Sequence, residues 1–158
     1  FESVDFAKGQ HKAEPFLKIN PLGRVPVFVD GDFVLHESRA IGLYLANSYV
    51  CARYLYPELP RTRAKVDQAL FYETTALGPA AGVLVWFVIP SDVAKAKHAE
   101  LHSALQYVEK AFFGESNEFL AGTTLTVADL FIFVQVDTVM QTISNFDLAQ
   151  YKKVNNWY

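Results

Sequence analysis

The sequence contains a single cysteine, Cys51, in 158 residues. One thiol excludes an internal disulfide framework and points to a reducing compartment, hence a cytoplasmic protein. Positive charge is also scarce: 14 Lys and Arg stand against 17 Asp and Glu, a net charge of -3. A nucleic-acid surface needs clustered Lys and Arg, so no nucleic-acid partner is expected. Long hydrophobic runs are missing, the longest falling far short of the roughly 20 residues of a membrane span, so no membrane association is expected. No signal-peptide pattern opens the sequence. What is abundant is apolar and aromatic side chain, 51% and 15% of residues. That composition makes a globular chain with one sizeable core or two small ones. The sequence starts at Phe1 inside what reads as a strand, "FESVDF", and stops at "VNNWY", so it reads as a fragment of a longer protein.

The pattern changes along the chain. Phe1 to Phe6 alternates weakly, as a strand does. A polar, turn-rich stretch follows, with a short helix expected over Glu14 to Ile19. Val25 to Val29 and Phe33 to Leu35 read as two strands of a hairpin. Asp30-Gly31 between them predicts a type I′ turn, whose two central residues take positive φ. Pro26 lacks a ladder donor and belongs at a strand start or edge. Ser38 to Tyr49 reads as a helix, with Ile41, Tyr44, Leu45 and Ser48 on one face. "VCARYLYPELP" loses periodicity and reads as a linker.

From Arg61 the pattern is helical. Arg61 to Ile89 is one long helix or two, with a break predicted at Pro79 between Gly78 and Gly82. Pro90 ends it and Ser91 is the expected N-cap of the next helix. Leu101, Leu105, Val108 and Phe112 form the buried stripe of that helix, which Gly114 closes. In "TVADLFIFV", Thr126 and Asp129 have capping-box spacing, and Leu130 to Val134 is apolar throughout. Alone that run also fits a buried strand, but the cap and the helical surroundings favour a helix buried on every side. The chain thus divides into a small α/β unit over 1–49, a linker over 50–60 and an all-helical unit over 61–158.

At this point the residues resemble a known family. "GQHKAEPFLKINPLGRVPVFVDGDFVLHESRAIGLYLA", Gly9 to Ala46, resembles the glutathione-binding half of cytosolic glutathione transferases, phi class nearest, with theta and delta features. "LTVADL" resembles the capping-box motif of their helical domain. The resemblance implies an α/β plus all-α fold: a thioredoxin-like N-terminal domain of βαβαββα order, then a helical bundle. Laid on that plan, the first strand and helix and the last helices are missing, and "FESVDF" becomes the second strand.

Site residues follow from both kinds of argument. A helix start offers free amides and partial positive charge, which attract a carboxylate. Ser38 adds a hydroxyl there; an ordinary N-cap with Glu37 as its acidic neighbour is the plainer alternative. The resemblance assigns Ser38 to the γ-glutamyl carboxylate of glutathione and Glu37 to its ammonium. It also implies a cis Val25-Pro26 bond whose backbone pairs with the cysteinyl part, although from sequence alone a trans bond is the commoner form. His11 and Lys12 match a pair that holds the glycine carboxylate; otherwise they form a solvated basic loop. Arg24, where the phi pattern has Gln, reaches the same carboxylate or faces water. His36 stands where the relatives often have Phe or Trp near the dimer contact, so it reads as a changed interface or a neutral substitution. Arg39 is expected to be structural, pairing with an acid near the dimer axis, rather than a ligand contact.

Leu84, Trp86 and Phe87 are weak candidates for an apolar electrophile wall, since such residues are more often core. His98 and His102 lie four apart, but no third ligand supports a metal site and both are expected in solvent. Cys51 reads as inert. No metal and no cofactor are expected, glutathione being a co-substrate. The function implied is a glutathione transferase of xenobiotic detoxification, a cytoplasmic homodimer taking glutathione and a hydrophobic electrophile. The residue that acts on the glutathione sulfur is not in this sequence. The other reading is a non-catalytic module of the same fold, as in the N-terminal part of the elongation factor 1 gamma subunit.

Overall fold

The computed structural model describes residues 1–87, 89–114 and 117–158. Its first part is built from α1 (Glu14–Ile19), β1 (Val27–Asp30), β2 (Phe33–His36) and α2 (Ser38–Ser48). That αββα order is the second half of the thioredoxin-like plan. The strands pair antiparallel with Val27 opposite His36 and Asp30 opposite Phe33. Tyr44 of α2 packs on the hairpin, its ring 5.5 Å from Phe28 and 5.1 Å from Phe33.

Several expectations need correction here. Phe1 to Phe6 is not a strand; among the described residues β1 has only β2 beside it. Asp5 instead folds the segment into turns: its carboxylate accepts from the Lys8 amide at 3.1 Å and its carbonyl from the Gln10 amide at 3.1 Å. A local polar anchor of this kind competes with ladder formation. The hairpin turn also sits one residue later than expected, with Gly31 and Asp32 at its centre. Gly31 alone has positive φ (62°), so the type I′ expectation fails. Glycine takes that conformation without steric cost, and Asp32 is spared it. In α2 the buried residue is Ala46, while Ser48 is exposed.

The stretch expected as an irregular linker contains a 3₁₀ helix over Val50–Leu55. Beyond it run α3 (Pro60–Tyr72) and α4 (Gly78–Trp86), joined by a π-helical turn over Glu73–Leu77. Pro79 explains the widened turn, because its ring displaces the carbonyl four residues earlier and it donates no hydrogen bond. The helix ends at Trp86, short of Ile89. Next comes α5 (Ser91–Ala111), in which Pro90 is the N-cap and Ser91 the first helical residue. The expected stripe of Leu101, Leu105, Val108 and Phe112 is buried.

α6 (Val127–Thr142) and α7 (Lys152–Trp157) complete the fold. The capping box forms, and the Asp129 carboxylate does more than cap. Its Oδ2 accepts from the Thr126 amide (2.8 Å) and hydroxyl (2.7 Å), and its Oδ1 from the Leu120 amide (2.9 Å) and Trp157 Nε1 (3.0 Å). One buried acid therefore ties α6, the preceding loop and α7 together. α6 is not buried all round. Val127, Ala128, Ile132, Val136 and Val139 face the core, whereas Leu130 (45%), Phe133 (40%) and Val134 (58%) are exposed. At about 100° per residue those three lie opposite the face packed against α2, α3 and α4.

His102 is also not simply solvated: its Nδ1 is hydrogen-bonded to the buried Tyr151 hydroxyl, and its ring stacks on Phe146. Among the described residues no three His, Cys, Asp or Glu gather as a metal site, and no helix is long and apolar enough to cross a membrane.

Candidate functional site

The hairpin and the start of α2 enclose a cleft of about 200 Å³. It is lined by Asn20, Leu22, Arg24, Val25 and Pro26 from the loop before β1 and by His36, Glu37, Ser38 and Arg39 from the end of β2 and the start of α2. Five of the seven residues expected to meet glutathione therefore line one space. The Val25-Pro26 peptide bond is cis, as the resemblance implies.

Local chemistry explains the shape. Asn20 ends α1 and is extended (φ -138°, ψ 98°), the conformation favoured before a proline. It is buried at 2% exposure, and its polar atoms organise the loop that follows. Nδ2 donates to Arg24 O at 2.6 Å, Oδ1 accepts from the Leu22 amide at 3.1 Å, and its carbonyl accepts from the Gly23 amide at 2.9 Å. Gly23 has φ of 60° and lies so close to the preceding turn that a Cβ would sit 2.7 Å from His11 O. Only glycine fits there.

The opposite wall carries strain. Glu37 is a non-glycine residue with φ of 70° and ψ of 114°, a conformation costing about 1–3 kcal/mol. It is the N-cap of α2 but makes no side-chain cap bond, and Ser38 is the first helical residue. Ser38 is therefore not the N-cap of the plainer alternative, and among the described residues its hydroxyl has no hydrogen-bond partner. The first intrahelical bond runs from the Ile41 amide to Glu37 O at 2.9 Å. In an α-helix the amides before it, those of Ser38, Arg39 and Ala40, lack intrahelical acceptors. They present partial positive charge to an anion in the cleft.

Arg39 extends the site into the helical part. It lines the cleft, and its guanidinium binds the buried Glu73 through two hydrogen bonds, Nε–Oε2 at 2.6 Å and a second from Nη2 to Oε1. It also sits 5.0 Å from the centre of the Phe131 ring on α6. Arg39 thus has an acidic partner, 34 residues away in sequence.

His11 and Lys12 stand beside the cleft without lining it. They form a 3₁₀ turn against Gly23, with Lys12 Nζ donating to Leu22 O at 3.3 Å. His11 packs on Phe6, and its Nδ1 is buried with no hydrogen-bond partner. Leu84 packs partly buried against the core, Phe87 is 65% exposed just after α4, and neither lines this cleft. The Trp86 side chain lies outside the described residues.

Sequence reasoning missed Asn20, Leu22 and Glu73. Asn20 had a signal, an Asn-Pro pair at a helix end. Glu73 had a weaker one, a lone acid inside the apolar run "ALFYETTAL".

Comparison with known proteins gives the family. Residues 1–47 match the model of the glutathione S-transferase N-terminal domain, and residues 89–158 that of the glutathione S-transferase C-terminal domain. Human glutathione S-transferase theta-2 is 34% identical over 151 residues, 90% of this chain and 60% of that protein. The chain thus spans about 60% of the length of that curated relative. Among solved structures, a delta-class glutathione transferase of Nilaparvata lugens superposes with a TM-score of 0.87 at 37% identity, over 99% of this chain and 73% of that one. Human glutathione transferase theta-2, in complex with glutathione and an unknown ligand, gives a TM-score of 0.86 at 32% identity, over 99% and 67%. Family models, relatives and fold converge, and the chain belongs to the glutathione S-transferase family.

Proposed function

We propose that the protein is a glutathione transferase joining the glutathione thiolate to hydrophobic electrophiles, in the manner of xenobiotic detoxification. The observation that carries this is the cleft between the cis Val25-Pro26 segment and the free amides of α2. Glutathione has two carboxylates, one ammonium and an extended peptide between them, and the cleft offers a match for each. Ser38 and the start of α2 take the γ-glutamyl carboxylate, and Glu37 the ammonium. Val25 and Pro26 run beside the cysteinyl unit. Arg24, with His11 and Lys12 from the adjoining turn, faces the glycine carboxylate. The electrophile is proposed to lie on the α4 side, near Leu84 and the exposed Phe87.

The chemistry asks little beyond positioning and an available thiolate. The thiol gives up its proton, the sulfur pair forms a carbon–sulfur bond, and the electrophile's leaving group departs with the bonding electrons. No residue of this sequence is assigned to the sulfur. No cofactor is needed beside the co-substrate. In this reading residues 1–49 are the glutathione domain, 50–60 the connection and 61–158 the helical domain, and the protein is a cytoplasmic homodimer.

Calorimetric titration with glutathione, with turnover of an activated aryl halide in the same sample, tests the proposal. Binding with turnover is the expected result. Absence of binding overturns it and favours the non-catalytic interaction module.

A further inference from the structure

His36 is accounted for neither by the cleft's proposed contacts with glutathione nor by the core. It is the last residue of β2, paired with Val27 across the hairpin and directly preceding the strained Glu37. Its Nε2 lies 2.7 Å from the carbonyl oxygen of Ile19, the last residue of α1. A carbonyl only accepts, so Nε2 carries the hydrogen. The next residue, Asn20, holds Arg24 through its side chain. His36 is thus the point where the cleft's parts meet: its backbone pairs with the strand after Pro26, its ring is tied to the α1–Asn20–Arg24 wall, and its peptide leads into Glu37-Ser38.

We infer that His36 is a positioning residue for glutathione: its Nε2–H bond to Ile19 sets the distance between the wall that holds Arg24 and the helix start that holds Ser38. This rests on the reading of the cleft as a glutathione site. The bond is solvent-exposed, so little global stability depends on it. Its effect falls on the gap between the walls, where a small displacement separates groups that must hold the two ends of one ligand.

Three variants of the protein test this, read by calorimetric Kd for glutathione and by melting temperature. His36→Phe keeps a ring and removes the donor; Kd rises about three- to tenfold, the equivalent of one lost hydrogen bond, with little change in melting temperature. His36→Gln places an amide nitrogen near the position of Nε2 and restores most of the affinity. His36→Asn, whose nitrogen falls short of Ile19 O, does not. Equal affinity in His36→Phe and the unsubstituted protein overturns the inference, as does equal loss in the Gln and Phe variants. Ser38→Ala separates the two layers of argument. If the unsubstituted protein does not bind glutathione, the reading of the cleft falls and this inference with it. If it binds, and Ser38→Ala weakens binding while His36→Phe does not, only the role of His36 falls. Nitrogen chemical shifts of the His36 ring give a ligand-independent readout: a protonated Nε2 and a bare Nδ1 are expected, and the opposite tautomer overturns the bond.

Discussion

The cleft-bearing part and the helical part are stabilised in opposite ways. Among the described residues the buried apolar side chains run from Val66 to Val154, with only Ala46 before them. The helical part has a continuous core; the cleft part has a two-stranded hairpin, two helices and a set of polar ties. Its cleft-lining groups include a strained Glu37, and so few buried contacts cannot hold such a shape alone. What holds it is the neighbour. α2 packs on α6, with Gly42 against Phe131, and Arg39 is clamped on Glu73. Shape for binding and stability for folding thus reside in different segments, joined at one helix.

The sharpest way to break this division is Asp129→Ala. Removing that carboxylate leaves the buried Leu120 amide and the half-buried Trp157 indole N–H without their acceptor. A loss of about 3–5 kcal/mol in folding free energy is expected, more than a surface cap would give. Urea denaturation measures it, and glutathione affinity in the remaining folded protein should be unchanged. A parallel loss of affinity would mean the two parts are not separable. Arg39→Ala strikes the joint instead. It leaves Glu73 buried and uncompensated, at a cost of about 2–4 kcal/mol, and it also removes a cation from the cleft. Stability and glutathione binding should fall together, in contrast to Asp129→Ala. A Glu73→Gln variant, which keeps an acceptor for Arg39, should cost less than Arg39→Ala on both readouts.

These effects also mark where the sequence was readable. Arg24, Val25, Pro26, Glu37 and Ser38 were legible because the cleft is built mostly from one contiguous hairpin and the helix after it. Glu73 was not, because its partner is 34 residues away and nothing local signals which charge an isolated acid will meet. Asn20 escaped because its importance lies in bonds to a loop, not in its type. The strand at Phe1 to Phe6 failed for another reason: alternation describes one strand, but a sheet needs a neighbour, and Asp5 found local partners first. In α6 the capping box and the helical surroundings identified a helix correctly, while the apolar run misjudged how much of it is covered. Composition reports how many faces are apolar, not how many are covered.

Two further measurements refine the contrast. Burial pushes the Tyr151 hydroxyl up to about 12, with the Asp147 charge adding to the effect. In the unfolded chain a tyrosine loses its proton near 10. Between those values the unfolded state binds fewer protons than the folded one, so stability is complete below pH 10 and falls as pH rises toward 12, by about 2–3 kcal/mol. Tyr151→Phe should flatten that part of the stability curve, read by denaturation at each pH. A curve unchanged by the substitution would place the alkaline transition elsewhere. Ser38→Ala should do the reverse of any core change. It weakens glutathione binding by about 1–3 kcal/mol, the loss of a hydrogen bond to a charged group, and leaves the melting temperature alone. An unchanged dissociation constant would remove Ser38 from the site.

The smallest expected effect has the opposite sign and tests whether strain belongs to the cleft part by design. Glu37 takes φ of 70° with a side chain that disfavours it. Glu37→Gly removes the steric cost but adds disorder to the unfolded chain, so the net change is a gain of about 1 kcal/mol in stability. Glutathione binding should fall at the same time, because the carboxylate proposed to face the ammonium is gone. Glu37→Gln separates the two causes. It keeps the strained backbone and loses only the charge, so stability should stay where it was while binding weakens. If Glu37→Gly proves less stable than the unsubstituted protein, the backbone is comfortable as it stands, and the cleft is held by its side-chain contacts without the strain that its geometry implies.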